Sequence, residues 1–462
     1  MAFINKSYFS KEALIENSIA IKYNGFWNKY LVFKKLFISK GVRKKSRVVI
    51  YAENRNETIC AFFALSEIGA VSILFDPRNP INKSKVQELK PDFFVGSKNN
   101  IDSCDASDCF INFDIFIEEY SNMKNFNKDI RFGPSDNIDV LCYQTSGTTG
   151  KPKEIFRIWD SIETEAKSVS ERLRLNSKDR ILCSLPICHS YMFDTIIIPA
   201  MYSGSSIFLS GEMLPVELIN FIEKNRITVL PLTPTVYRLI LRYPDKTKDA
   251  FSSVRLCVSA GSMMHASEKI NFEKITGKRV FQIYGMTETG AITTDYPDGY
   301  TLEEGSVGKP FDHIRIRIDK QIPEDTDGVV SIKSFKNDQW IQTGDIGENK
   351  SDGVLLLKGR SDHVVKIAGE KVSLNEIEAL LLKNHKIEDA YVCSESDTLL
   401  GQKIIAYISF KENEGGSLRE ISEYCEKWLP AYKIPRKFIF LKSINRDKIH
   451  KCISKNTAGK NG

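Results

Sequence analysis

Residues 143–155 read YQTSGTTGKPKEI, and the residue types point to anion binding. Gly147 and Gly150 let successive backbone N–H groups converge, the geometry of an anion nest. Thr145, Ser146, Thr148 and Thr149 add hydroxyl donors, and Lys151 adds a cation. The spacing is not that of a P-loop, which has GxxxxGK followed by Ser or Thr. Here Pro152 follows Lys151 and removes an N–H where a P-loop begins its helix. A surface loop rich in small polar residues would have the same composition, so the stretch alone leaves both readings open.

Such a loop acts only if strands and helices hold it. RVVIYAE (47–53), AVSILFD (70–76), DVLCYQTS, RILCSL, GSSIFLS, ITVLPL, VRLCVSA and VFQIYG are short apolar runs that predict strands. ETICAFFALSEIGA (57–70), SIETEAKSVSERLR, VELINFIEKN and PTVYRLILR have helical spacing between them. This alternation predicts an α/β fold with mostly parallel sheets. After about residue 300, RIRID, GVVSIKS and GVLLLKG predict a small β-rich subdomain. A last α+β unit follows, with helices in LNEIEALLLKN and LREISEYCEKWLP and strands in DAYVCSE and KIIAYISF. The Gly-containing turn KGRSDH is the expected joint, giving domains 1–359 and 360–462.

Composition narrows the class. The chain has 462 residues, 42% of them hydrophobic, and a net charge of +6. So mild a bias, spread over the chain, does not argue for nucleic acid, which needs a concentrated basic face. The ten cysteines and six histidines lack CxxC or finger spacing, so free thiols in a reducing cytoplasm are expected rather than structural zinc. The N-terminal stretch has no unbroken apolar segment and does not read as a signal peptide. The longest apolar run, near TIIIPAMYSG, is stopped by Pro199 and Gly204, so no membrane span is expected.

YQTSGTTGKPK resembles the phosphate-loop signature of the adenylate-forming enzymes, which include acyl- and aryl-CoA synthetases, peptide-synthetase adenylation domains and luciferase. Other stretches resemble the same superfamily, in its order: residues 47–77, LPICHSY (185–191), VSAGSMM (258–264), QIYGMTETG (282–290), GSVGKP, WIQTGDIG (340–347) and KGRSDHVVKIAGEKVSLNEIE (358–378). The resemblance covers about residues 20–455. It implies ATP-dependent conversion of a carboxylic acid to an acyl adenylate, then transfer to a thiol, beneath a mobile C-terminal lid. Thr145, Ser146, Gly147, Thr148, Thr149, Gly150 and Lys151 would then hold the pyrophosphate side. Thr287 would contact the α-phosphate and Glu288 would bind Mg²⁺. Tyr284 would stack on adenine, edged by Gly261 and Ser262, while Asp345 and Arg360 would hold the ribose. Asp362 aligns with the hinge.

The lid lysine falls in INRDKIHKCISK, a poor copy of the superfamily pattern. Ungapped counting from AYKIPR selects Lys451; a shift of three selects Lys448. Glu154 stands where glycine is usual, a charge to be tolerated only if it points away or pairs with a cation such as Lys153. His189 falls on the gate of the acid pocket, with Ser190, Tyr191, Ser259 and Gly285 as lining candidates; a core histidine satisfied by the backbone is the plainer alternative. Ser190 stands where amino-acid-activating members carry aspartate, which favours fatty or aryl acids. The expected acceptor is coenzyme A or the phosphopantetheine arm of a separate acidic carrier protein, drawn by the basic residues from Lys433 onward. Loading of an amino acid onto a discrete carrier, and a non-catalytic nucleotide-binding protein, are the competing readings. The acid and the oligomeric state are not legible.

Overall fold

The computed structural model describes residues 5–78, 83–97, 109–113, 137–145, 153–320, 326–334, 339–360, 364–367, 370–397, 401–412 and 414–444. The chain divides into two compact units. One comprises Met1–Leu302, Val307–Arg315 and Lys333–Gln339; the other comprises Glu303–Ser306, Ile316–Ile332 and Trp340–Gly462.

The expected α/β architecture is found in the first unit as two sheets. One runs in the order Phe110–Asn112, Phe93–Gly96, Arg47–Tyr51, Val71–Phe75, Asp139–Thr145, Lys153–Ile158. Its strands are parallel except for the last, which pairs antiparallel. Val48, Val49 and Ile50 are fully buried, as expected of a parallel strand covered on both faces. In the second sheet Glu12–Glu16, Ser206–Leu209, Arg180–Cys183, Val229–Leu232, Leu256–Ser259 and Val280–Met286 run parallel in that order. Gly290–Thr294 adds antiparallel beyond Val280–Met286.

A single hydrophobic cluster takes in Val48 and Ile50 of the first sheet, Ile181 and Ile207 of the second, and the helices between. Helix Asn56–Ile68 is buried along most of its length. Phe62 meets Phe193 edge-on at 4.8 Å and Trp159 at 6.4 Å between centroids. The run TIIIPAMYSG lies in this core as a π-turn, Phe193–Ile197, followed by helix Ile198–Ser203. Pro199 follows the π-turn directly, where the regular i→i−4 ladder is already interrupted. No helix among the described residues is long and apolar enough to cross a membrane.

In the second unit Ile341–Asn349 and Leu355–Arg360 pair antiparallel. Strands Ile387–Asp397, Gly401–Phe410 and Lys437–Phe440 form a separate sheet. Helices Leu374–Leu382 and Leu418–Glu426 send Leu374, Ile377, Leu381, Ile421 and Cys425 into its core. The two helices and the two long strands are those expected from sequence.

Candidate active site

The phosphate-loop stretch is carried on an antiparallel pair. Thr145 pairs with Lys153, Gln144 with Glu154 and Tyr143 with Ile155. The loop is therefore a hairpin connection anchored in the first sheet, and the strand after it was not anticipated from sequence. Residues 146–152, with Ser146, Gly147, Thr148, Thr149, Gly150 and Lys151, lie outside the described residues, as does the side chain of Thr145. The period-two alternation places Ile155 and Arg157 inward and Glu154 and Phe156 outward. Glu154 pairs with Arg47, Nη2 to Oε1 at 2.5 Å, and the same guanidinium lies over Phe156. Arg47, rather than Lys153, balances the unusual glutamate.

Lys153 instead approaches Glu288, Nζ to Oε1 at 3.8 Å. Thr287 and Glu288 occupy the turn between Val280–Met286 and Gly290–Thr294 and are both half-buried. Two glycines shape this turn. Gly285 sits at a register shift, where a Cβ would stand 2.6 Å from the Gly290 carbonyl oxygen. Gly290 has φ +78°, and its Cβ would strike the Glu165 carboxylate at 1.9 Å. No side chain fits either place, which accounts for the spacing in YGMTETG.

Tyr284 is half-buried on the same strand. Gln282, two residues before it, organises the neighbouring loop: its Nε2 donates to Ser262 O at 3.1 Å, and Met264 N donates to its Oε1 at 3.2 Å. Gly261 and Ser262 are exposed at that loop. The acid-pocket candidates gather alongside. Ser190 Oγ donates to Thr287 Oγ1 at 3.5 Å, and the Tyr191 hydroxyl donates to Val258 O at 3.2 Å. The Ser259 hydroxyl is buried without a hydrogen-bond partner among the described residues.

Beneath these groups lies a buried ionic network. Arg157 donates from Nη2 to Glu165 Oε2 at 2.8 Å and from Nη1 to Asp194 Oδ2 at 2.9 Å. The Tyr143 hydroxyl donates to Asp194 Oδ1 at 2.8 Å. Thr195 Oγ1 and Ala291 N donate to Glu165 Oε1 at 3.0 and 2.8 Å. Both stems of the phosphate loop, the helix after it, the π-turn and the strand after TETG thus meet at one cation. Sequence reading missed Arg157, Glu165 and Asp194.

Burial, with Arg157 opposing it and Glu165 reinforcing it, raises the Asp194 pKa from 3.8 to about 7. One cation cannot balance two carboxylates in a site closed to water. The folded state therefore holds a proton that the unfolded chain releases above about pH 4. Stability from this group is full below pH 3.8 and is lost as pH rises to about 7. Asp194→Asn is expected to flatten that decline. Chemical denaturation between pH 5 and 8 checks it, against a wild-type slope approaching about 1.4 kcal/mol per pH unit.

His189 stands at the gate beside Asp76 and Arg78. Desolvation lowers its pKa, Asp76 opposing and Arg78 adding to the shift. Hydrogen bonding to Arg78 holds Asp76 below the usual carboxylate range. Arg78 also bonds Glu212. The gate loop is pinned by Asn54, whose Nδ2 donates to Leu185 O at 2.9 Å and to Ser210 O at 2.7 Å. Ile187 N donates back to Asn54 Oδ1 at 3.1 Å.

In the second unit, Asp345 and Arg360 are cross-strand neighbours, with Arg360 Nη1 3.4 Å from Asp345 Oδ1. A carboxylate and a guanidinium side by side match a ribose diol, one accepting and the other donating. Lys448, Lys451 and Asp362 lie outside the described residues.

Two strands that flank a glycine- and hydroxyl-rich stretch, and a turn carrying Thr287 and Glu288 beside them, stand on paired α/β sheets. The chain belongs to the AMP-binding enzyme family: the family's profile matches residues 4–335, and that of the AMP-binding enzyme C-terminal domain matches 376–451. It is 24% identical over 352 residues to a long-chain-fatty-acid–CoA ligase of Bacillus subtilis, covering 70% of this chain and 62% of that one. It is 24% identical over 468 residues to 4-coumarate:CoA ligase 1 of Petunia hybrida, covering 90% and 84%. It is 26% identical over 441 residues to a 2-succinylbenzoate–CoA ligase of a Geobacillus species, covering 89% and 87%. The fold is similar to that of ATP-bound MatB from Rhodopseudomonas palustris, with TM-score 0.87, 20% identity and coverage of 97% and 96%. It is also similar to O-succinylbenzoate coenzyme A synthetase (MenE) from Bacillus subtilis in complex with ATP and magnesium ion, with TM-score 0.80, 22% identity and coverage of 94% of each chain.

Proposed function

We propose that this protein is an acid–thiol ligase that activates a fatty or aryl carboxylic acid with ATP and passes the acyl group to coenzyme A. One observation carries the reading. Lys153, at the exit of the phosphate loop, approaches Glu288 at 3.8 Å, and Thr287 meets Ser190 of the gate at 3.5 Å. The exit of the loop, the acidic turn and Ser190 of the gate are thereby side by side.

In this reading a carboxylate oxygen attacks the α-phosphorus of ATP, the bond to the pyrophosphate oxygen breaks, and an acyl adenylate forms. The thiolate of coenzyme A then attacks the acyl carbon and AMP leaves. The first transition state spreads charge over phosphate oxygens, so donors must be in place beforehand. Thr145 to Lys151 take the pyrophosphate side, Thr287 the α-phosphate, and Lys451 the bridging position. Tyr284 with Gly261, Ser262 and Gly285 takes adenine; Asp345 and Arg360 take the ribose. Magnesium, when bound, neutralises phosphate oxygens, and Glu288 offers the hard carboxylate oxygen that ion prefers. Asp362 acts as hinge between functional domains 1–359 and 360–462, exchanging the adenylating and thiol-transfer poses. The eight free cysteines among the described residues fit a reducing cytoplasm.

The nature of the acid follows from the charges at the gate. An α-amino acid needs a carboxylate for its ammonium group. Asp76 is bound by Arg78 at 2.8 Å, and Asp194 is consumed by Arg157 and Tyr143. Ser190 supplies no charge. A non-amino acid is therefore favoured.

ATP–pyrophosphate exchange with panels of fatty, aryl and amino acids tests the reading. Exchange is expected with one of the first two classes, and AMP release with coenzyme A. Exchange with amino acids alone would overturn it. Lys451→Ala is expected to lower exchange by about a hundredfold, whereas Lys448→Ala stays within about threefold, because ungapped counting from AYKIPR puts Lys451 at the position of the lid lysine. The opposite ranking would move the lid lysine to Lys448.

A further inference from the structure

Beside the gate histidine stand two further donors, Asp76 and Cys188, that have no part in the proposed adenylation. Asp76, Cys188 and His189 present a carboxylate oxygen, a thiol sulfur and an imidazole nitrogen that all lie within 4.8 Å of one another. We propose that these three side chains form a binding site for a thiophilic divalent cation such as Zn²⁺, and that an occupied site shuts the acid gate.

The donor set is the first argument. Three protein ligands of mixed sulfur, nitrogen and oxygen type, with one position left for water, are what a four-coordinate Zn²⁺ takes. Mg²⁺ takes hard oxygen ligands and would pass over the thiol, so the site is distinct in chemistry from the Glu288 turn. With bonds of about 2.0 to 2.3 Å, tetrahedral ligand atoms stand roughly 3.3 to 3.8 Å apart. The cluster must contract by about an ångström from its widest spacing, which side-chain torsions at Asp76 and His189 can supply.

The second argument is that the backbone beneath the donors is braced. Cys188 and His189 are consecutive, directly after Ile187, whose N–H is held by Asn54. Asp76 directly follows Phe75, whose carbonyl accepts from Ala52 N at 2.9 Å. One short segment, residues 52–54, therefore fixes both halves of the cluster. Such support keeps ligands near a common centre without a metal to gather them.

The third is charge. Arg78 now holds Asp76 through both carboxylate oxygens, Nε to Oδ1 at 2.9 Å and Nη2 to Oδ2 at 2.8 Å. Its side chain is 52% exposed and also reaches Glu212. A cation at Asp76 would take over the role of the guanidinium, which retains Glu212 and can swing outward. Anionic Asp76 and Glu212 offset the charge of Arg78 and leave room for a divalent ion in its place.

Binding itself does not depend on the proposed ligase activity; the inhibitory consequence rests on that reading. The experiment titrates the full-length protein with Co²⁺, then Zn²⁺, following the thiolate-to-cobalt charge-transfer band in the near ultraviolet. The band is expected in the wild type, displaced by one equivalent of Zn²⁺. It should vanish in Cys188→Ser, persist in Cys109→Ser, which removes an exposed thiol, and form at least about tenfold more weakly in Asp76→Asn. Zn²⁺ should inhibit pyrophosphate exchange in competition with the acid, and Cys188→Ser should raise the inhibitory concentration at least about tenfold with basal exchange retained. Absence of the band in the wild type, or its persistence in Cys188→Ser, overturns the site. Zn²⁺ inhibition that is relieved by Mg²⁺ and indifferent to Cys188→Ser overturns the gating. A Cys188-dependent band in a protein that exchanges no pyrophosphate with any acid leaves the metal site standing and defeats the ligase reading.

Discussion

Glu288→Gln is expected to lower pyrophosphate exchange by about a hundredfold to a thousandfold, the scale on which removing a preorganised electrostatic group from a transition state is felt. The fold should scarcely respond. Glu288 lies on a turn, and its ion pair with Lys153 spans 3.8 Å with the lysine side chain 66% exposed. Pairs of that kind contribute about 0 to 1 kcal/mol. The loss should therefore fall on kcat and on the magnesium requirement, with the thermal midpoint nearly unchanged, and excess Mg²⁺ should recover part of the rate. Lys153→Met removes the partner and leaves the carboxylate, so it should cost far less. Equal losses in the two variants would mean that the ion pair shapes the turn and that Glu288 does not bind the metal.

The α/β character was legible because the signal is redundant. Runs such as RVVIYAE and AVSILFD are apolar along most of their length, as strands buried on both faces tend to be, and helical periodicity separates them. The antiparallel strand Lys153–Ile158 was harder to see. Its first residues double as the end of a polar loop, and an arginine interrupts the apolar pattern. Read as a strand, EIFRI puts Glu154 and Phe156 on one face and Ile155 and Arg157 on the other, and a buried arginine then demands carboxylates. That demand was in the sequence, but only after the strand had been recognised.

The site divides along similar lines. Residues whose backbone geometry is special left marks: Gly285 and Gly290 stand where a side chain would collide with the adjacent backbone or with Glu165, and they frame Thr287 and Glu288. Residues that act through distant partners left none. Asn54, which pins the gate loop from another sheet, looks like any turn asparagine until residues 185–187 and 210 fold against it. Gln282 reads as a strand residue until its amide is found holding Ser262 and Met264. Glu154 raised doubt about the phosphate loop because the nearest cation in sequence is Lys153, whereas Arg47, from the strand Arg47–Tyr51 three places along the sheet, neutralises it.

Arg157→Met should be the most destabilising single change among the described polar residues of this site. The side chains of Arg157, Glu165 and Asp194 are 3%, 1% and 0% exposed, so methionine strands two carboxylates where water cannot follow. Breaking a buried pair by removing one partner costs about 3 to 5 kcal/mol. Part of that is recoverable by protonation, so the variant's stability should improve as pH falls from 8 to 5 more steeply than the wild type's. A double-mutant cycle with Asp194→Asn separates the charge from the packing. If the network acts through its charges, the second substitution restores part of the loss in Arg157→Met although it weakens the wild type, and the coupling exceeds about 0.5 kcal/mol. The enzyme that remains folded should show a raised KM for ATP with a smaller change in KM for the acid. The cation ties both stems of the phosphate loop to the strand after TETG and reaches the gate only through Asp194, while residues 185–187 of the gate are held through Asn54. Additive effects in the cycle, or equal rises in both KM values, would reduce Arg157 to a core residue with no particular hold on the nucleotide loop.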